Sequence, residues 1–306
     1  MKNTLITILV IVVIGVGGYF LFKSLSGFPN VSKVSDDANS TTPPQGDNQT
    51  NGIPTVTENK TETVIGKSVE GRDIIAYHFG VGDTELLLVG DIHGGYSWNT
   101  ALVAFEAMDY LKANPSLVSA NVRVTVIPVL NPDGLYKVTG KDGRFVVGDV
   151  SSSQTVQVSG RFNANNVDLS RNFDCDWKFN AKWQNTPVSG GSAVFSEPES
   201  LAIKNYVETS KPKAVVVWYS AAGGVYASNC HNGVSSETNT ITKKFATASG
   251  YPAYQSFDFY VTTGDMVNWL AKIDIPAISV LLTNHTDTEW TKNQKGIEAL
   301  LEYYTK

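Results

Sequence analysis

Glu85-Leu86-Leu87-Leu88-Val89, then Gly90-Asp91-Ile92-His93-Gly94-Gly95-Tyr96-Ser97, then Trp98 through Ala113, is the stretch on which the fold turns. Its first part is apolar after Glu85 and of strand length, as expected of a strand covered on both faces. The paired glycines after His93 let the backbone turn sharply and approach a ligand closely. The segment from Trp98 to Ala113 has the length and amphipathic character of a helix. A strand, a histidine on a glycine turn and a helix place the histidine beyond a strand's carboxyl end, where α/β sheets bind ligands.

The same alternation runs outward in both directions. Strands are expected at Asp73 to Phe79, Val122 to Val129, Ala214 to Trp218 and Ala277 to Leu282. Helices are expected at Pro198 to Thr209, Glu237 to Ser249, Gly264 to Ala271 and Glu289 to Tyr304. Ser196-Glu197-Pro198-Glu199 and Thr286-Asp287-Thr288-Glu289 both fit a capping box, and Pro198 is acceptable in a first turn. Asn131-Pro132-Asp133-Gly134 reads as a turn. These elements predict an α/β fold: a mixed, largely parallel, twisted sheet with helices on both faces, in one domain over residues 64–306.

Thr4 to Phe22 is an almost unbroken apolar run between Lys2 and Lys23. As a helix it would extend roughly 28 Å, close to the hydrocarbon thickness of a bilayer. With no small-residue cleavage site evident, it predicts a single-pass signal-anchor at residues 4–22 behind a cytoplasmic start at 1–3. Residues 23–63, rich in Ser, Thr, Asn, Asp, Gly and Pro, read as a flexible extracytoplasmic linker. The net charge of -5 over 306 residues gives no general attraction for nucleic acid, which is excluded as an expected partner.

Three strand ends, around His93, at Trp218-Tyr219-Ser220 and at Val280-Leu281-Leu282, together with Val167-Asp168-Leu169-Ser170-Arg171-Asn172-Phe173, resemble the carboxypeptidase A-like zinc carboxypeptidases. That family carries His and Glu in the first segment, a second His in the next and a catalytic Glu in the last. Here His93 stands at a vestigial ligand position, while the Glu position falls on Tyr96 or Ser97 and is assigned to Ser97. Tyr219 replaces the second His, and Leu281 replaces the general base. A hydrolytic zinc site needs three protein ligands and an open position for water, and a leucine transfers no proton.

The resemblance also implies substrate-binding roles. Arg171 corresponds to the arginine that grips a terminal carboxylate, with Ser170 where its neighbour is usually Asn. Arg161 corresponds to the arginine that stabilises an oxyanion, and Tyr260 to a tyrosine that closes over substrate. Val267 lies where the pocket for the terminal side chain is tuned, toward apolar residues. Cys175 and Cys230 follow segments that flank this cleft, and an extracytoplasmic location permits a disulfide between them. His285, Asp287 and Glu289 as a replacement metal site, and His231 beside Cys230, are weaker patterns than the capping box that uses Glu289.

The expectation is a membrane-anchored homologue without zinc or hydrolysis that binds peptides or cell-wall fragments by a free carboxylate. Two alternatives stay open: an active zinc metallocarboxypeptidase with ligands elsewhere in the chain, and a structural or interaction module whose cleft is filled.

Overall fold

The computed structural model describes residues 61–306; the expected membrane helix at 4–22 and residues 23–60 of the expected linker lie outside the described residues. Among the described residues no helix is long and apolar enough to cross a membrane.

In chain order the elements are β1 (Glu62–Lys67), β2 (Asp73–Phe79), β3 (Thr84–Val89), α1 (Trp98–Ala113), β4 (Val122–Ile127), α2 (Pro132–Thr139), α3 (Gln154–Ser159), β5 (Asn180–Trp183) and β6 (Thr186–Ser189). They continue with α4 (Pro198–Ser210), β7 (Ala214–Ser220), β8 (Gly224–Ala227), α5 (Ser236–Ser249), β9 (Ala253–Tyr254), α6 (Met266–Lys272), β10 (Ala277–Leu282) and α7 (Trp290–Thr305). Eight strands form one sheet in the order β1-β2-β4-β3-β7-β10-β8-β9, and β5 pairs with β6 apart from it. The centre, β4-β3-β7-β10, is parallel, flanked by antiparallel β2 and β1 on one side and antiparallel β8 on the other.

Alternate residues of the central strands feed two cores, as the two-residue side-chain period requires. Leu86, Leu88, Val216, Trp218, Ile278 and Val280 pack with Phe105 of α1, Phe245 of α5 and Leu300 of α7. Leu87, Val89, Val215, Val217, Tyr219 and Leu281 pack on the other face with Ile203 of α4 and Trp269 of α6. The sheet is therefore mixed with helices on both faces, as the apolar runs implied.

After β3 the chain crosses to β4 on one side, whereas β7 occupies the other side of β3. The strand order reverses at that point, which opens a crevice beyond the carboxyl ends of β3 and β7.

Several elements escape the sequence reading. Asn131-Pro132-Asp133-Gly134 is the start of α2, with the Asn131 side chain accepting from Gly134 N at 3.0 Å and Pro132 in the first turn. The residue types that make a turn also make a helix start, and the apolar Leu135 and Val138 decide for the helix. Neither expected capping box forms: the N-cap of α4 is Glu197, with no side-chain cap bond, while Ser196 Oγ donates to Glu197 and the Glu199 carboxylate accepts from Val69 N; Glu289 is the residue before α7, at φ 46°, and its carboxylate turns back to accept from Thr283 N and Oγ1 and from Tyr251 OH. The Cys175–Cys230 disulfide is present, with α-carbons 6.1 Å apart.

Candidate functional site

Beyond the ends of β3, β7 and β10 lies a cleft of about 590 Å³ lined by His93, Arg161, Arg171, Tyr219, Tyr260, Val267 and Leu281. Seven of the eight positions singled out for the site therefore meet in one place. Ser97 does not line it. That side chain is buried with its hydroxyl unpartnered, whereas Tyr96 faces the cleft and packs on His285 with ring centres 4.5 Å apart. Of the two residues three and four after His93, Tyr96 lines the cleft and Ser97 does not.

The Val167–Phe173 segment supplies the polar wall. Its 3-10 turn, Leu169–Arg171, is capped by Asp168, which accepts from Ser170 N and from Ser170 Oγ at 2.7 Å. Ser170 Oγ lies 2.9 Å from His93 Nε2 and also receives Arg171 Nη1 at 2.9 Å. Since the single Ser170 proton goes to Asp168, His93 donates from Nε2. The other ring nitrogen, Nδ1, is then a bare lone pair, buried and without a partner among the described residues. Burial, reinforced by Arg161, holds His93 well below the ordinary imidazole range, so the ring is neutral.

Arg161 is fully buried and pairs with Asp168, Nε donating to Oδ2 at 2.9 Å, beneath the Trp183 ring 4.4 Å away. Burial pushes the Asp168 carboxyl upward, but the Arg161 and Arg171 guanidiniums outweigh it and hold the group well below the usual carboxylate range.

The floor is different. Tyr219 and Leu281 are register partners across β7 and β10 and point to the same side. The Tyr219 hydroxyl donates to Asp265 Oδ1 at 3.1 Å; burial and this carboxylate raise the phenol far above its ordinary range. Ser220 Oγ bridges Asn99 Oδ1 and His285 Nδ1 at 3.1 and 3.0 Å.

This donor set does not fit a catalytic zinc, which takes two imidazoles and a carboxylate or an equivalent trio. At the cleft floor only His93 Nδ1 offers a bare lone pair on a residue of the expected ligand set; Tyr219 is a neutral phenol and Leu281 offers nothing. His285, Asp287 and Glu289 do not converge, because the Asp287 carboxylate accepts from Glu289 N and the Glu289 carboxylate faces Thr283. Among the described residues the one convergence of three metal-type side chains is Cys175, Cys230 and His231, and both sulfurs are bonded to each other.

Arg171 is buried to 2% exposure, yet its guanidinium borders the cleft. Nε donates to Lys182 O at 2.9 Å and Nη1 to Ser170 O at 2.7 Å, so the backbone fixes its orientation. Among the described residues it forms no ion pair, in contrast to Arg161. Tyr260 is half-buried on a loop beside Phe257, and Val267 belongs to the core on the α6 side.

Sequence reasoning missed three contributors. Asp168 lies inside the quoted Val167–Phe173 motif, and a buried Asp seven residues after Arg161 was a findable partner. Asp265 stands between Gly264 and Val267, where an acid next to a pocket residue was a visible signal. Trp183 belongs to the short β5 hairpin, which carries no apolar pattern long enough to read.

A mixed sheet with helices on both faces, and a cleft built from these strand ends and an Arg-bearing loop, define a zinc-carboxypeptidase-like domain. Residues 54–298 match the family described as zinc carboxypeptidase, and the chain belongs to that family. It is 28% identical to the human carboxypeptidase N catalytic chain over 211 residues, which is 64% of this chain and 40% of that one. To mouse carboxypeptidase Z it is 33% identical over 122 residues, covering 36% of this chain and 17% of that one. The match thus spans well under two thirds of these relatives. The fold is shared with bovine thrombin-activatable fibrinolysis inhibitor, at TM-score 0.59 and 16% identity over 79% of this chain and 87% of that one. It is shared also with a murein-tripeptide amidase from Escherichia coli O157, at TM-score 0.53 and 20% identity over 79% and 92%.

Proposed function

We propose that this protein is a non-hydrolysing member of the zinc carboxypeptidase family that binds peptides or cell-wall fragments through a terminal carboxylate. The observation that carries the reading is the contrast within one cleft: Arg171 held rigid and without a carboxylate partner, beside Tyr219 and Leu281 where a metal ligand and a base are needed. A planar guanidinium gives a carboxylate paired hydrogen bonds. With one imidazole lone pair on the floor, no water is activated there. Arg161, already committed to Asp168, supports the wall rather than meeting the ligand, and Tyr260 borders the entrance. The apolar run at residues 4–22 supports a single-pass anchor with this domain outside the cytoplasm; detergent-dependent release of the full chain from membranes tests that part.

Metal analysis and a carboxypeptidase assay test the absence of chemistry: one zinc per chain with chelator-sensitive release of C-terminal residues overturns it. Calorimetry with N-acylated peptides as acids and as amides tests the receptor. Arg171→Ala costs about 2 to 5 kcal/mol of binding, roughly 30-fold or more, and amidating the ligand costs as much without adding to it. Equal affinity of acid and amide gives the cleft a purely structural role.

A further inference from the structure

Just past the Arg171 turn the chain reads Cys175-Asp176, and after β8 it reads Cys230-His231. In each pair a sulfur is followed directly by a residue with a lone pair to give, and both followers have left-handed backbone, φ 54° at Asp176 and 66° at His231. Residues other than glycine adopt that conformation uncommonly, and here the two occurrences flank one disulfide. The two sulfurs and a ring nitrogen of His231 lie within 4.8 Å of one another. Cys175 and Cys230 are buried, while the His231 and Asp176 side chains are 70% and 51% exposed.

The imidazole is already oriented. Asp176 Oδ1 lies 2.9 Å from His231 Nε2. A carboxylate accepts, so Nε2 donates, and in the neutral ring Nδ1 keeps the lone pair. A carboxylate on one ring nitrogen and a lone pair on the other is the arrangement that orients metal-bound imidazoles. Two thiolates and one imidazole make three of the four donors of a tetrahedral zinc site, with the fourth position left to water. Zinc–sulfur bonds of about 2.3 Å hold two sulfurs roughly 3.8 Å apart, a separation that cysteines with α-carbons 6.1 Å apart reach by side-chain rotation. Only the bond between the sulfurs stands in the way.

We propose that Cys175, Cys230 and His231 form a zinc-binding site that opens when the disulfide is reduced and closes when it re-forms, with Asp176 orienting the imidazole. The opening step is thiol–disulfide exchange with an external dithiol. One of its thiolates attacks a cysteine sulfur and the S–S bond breaks; its second thiol then resolves the mixed disulfide, so that two electrons pass from the dithiol to the cysteines. Zinc replaces the two thiol protons, which go to water. None of the four residues lines the cleft, so the site is independent of what the cleft binds. The metal bridges the same two segments as the disulfide and keeps the wall tied to the chain after β8.

For the test, the full chain is reduced with a water-soluble phosphine, desalted without oxygen and titrated with Co²⁺, whose thiolate charge-transfer absorption reports sulfur ligation. The reduced protein takes one Co²⁺ per chain with that absorption, Zn²⁺ abolishes it, and the oxidised protein shows none. Asp176→Asn weakens cobalt binding about 10- to 100-fold, and His231→Ala weakens it at least as much. Both side chains are exposed, so the core is untouched in either variant. Absence of the charge-transfer absorption in the reduced native chain, folded or not, overturns the proposal. Equal cobalt affinity in His231→Ala and native protein also overturns it, because the cysteines would then bind metal as any loose thiol pair does. Zinc further raises the melting temperature of the reduced chain and leaves that of the oxidised chain unchanged; an equal shift in both forms contradicts a site that the disulfide closes.

Discussion

At the floor of the cleft the ends of β3, β7 and β10 present His93, Tyr219 and Leu281; along its wall, residues 161–171 present Arg161, Asp168, Ser170 and Arg171. The floor has one bare lone pair, a neutral phenol and a methyl-bearing side chain. On the wall, Asp168 receives Arg161 and Ser170, Ser170 receives His93 and Arg171, and Arg171 is braced on two carbonyls. The wall is a network in which removing any member leaves a buried polar group unpaired. Tyr219 and Leu281 are separable from it, because neither hydrogen-bonds to a wall residue; His93 alone of the floor is tied in, through Ser170. Exchange of Tyr219 or Leu281 therefore costs little stability, and exchange on the wall costs much.

The largest effect expected follows from that separability. Tyr96→Glu with Tyr219→His places a carboxylate and a second imidazole on the same cleft as His93 Nδ1, and the variant is expected to take up about one zinc per chain, against none for the native protein under the proposed function. Leu281→Glu alone supplies a base without a metal and leaves both zinc content and hydrolysis at the native level. Atomic absorption on extensively dialysed protein decides it. If Ser97→Glu serves where Tyr96→Glu does not, the loop after β3 turns Ser97 rather than Tyr96 toward the cleft.

A smaller effect sharpens the comparison in stability. Asp168→Asn strands Arg161 in the interior and costs about 3 to 5 kcal/mol, whereas Tyr219→Phe removes one hydrogen bond and costs about 1 kcal/mol. Equilibrium denaturation of the two variants under identical conditions gives the ratio. Asp168, held low in the folded state, stabilises above its unfolded value and ceases to as pH falls through the folded one. Native protein therefore loses the wall on acidification. Comparable losses in the two variants would mean that floor and wall form one network after all.

The sheet was legible because the central strands are covered on both faces, and such strands announce themselves as Leu86-Leu87-Leu88-Val89, Val215-Val216-Val217-Trp218 and Ile278-Ser279-Val280-Leu281. The edge strands β1 and β9 were not, because they are largely exposed or very short, and β8 was not because it is only four residues long. The site was legible where residues are named by motif, as His93, Tyr219, Leu281, Arg161 and Arg171 are. It was illegible where the decision is rotational: the two glycines and a 3-10 turn over Gly94–Ser97 set whether Tyr96 or Ser97 faces the cleft, and spacing alone does not fix that. Asp265 was visible as an acid beside a pocket position, but its place on the cleft was not, since that depends on Gly264 packing against the backbone of Arg171.

The smallest effect concerns the residue joining floor to core. Asp91 directly follows the glycine after β3 and is completely buried at φ 60°, and both carboxylate oxygens lack a partner among the described residues. Its backbone is fully used, with N donating to Thr100 Oγ1 and O accepting from Gly94 and Asn131, so the position is held by main chain rather than by the acid. Burial raises the carboxyl well above its ordinary value. The folded chain therefore retains a proton that the unfolded chain releases near pH 4, and stability declines as pH rises from there through the folded value. Asp91→Asn keeps the shape, tolerates positive φ and removes the ionisation. It stabilises by about 1 to 3 kcal/mol at neutral pH, with a larger gain near pH 8 than near pH 5. Thermal melts across that range are the measurement. A gain that is flat with pH, or a loss, would mean that the Asp91 carboxylate has a charged partner, and the floor would then be less separable from the wall than the contacts around it imply.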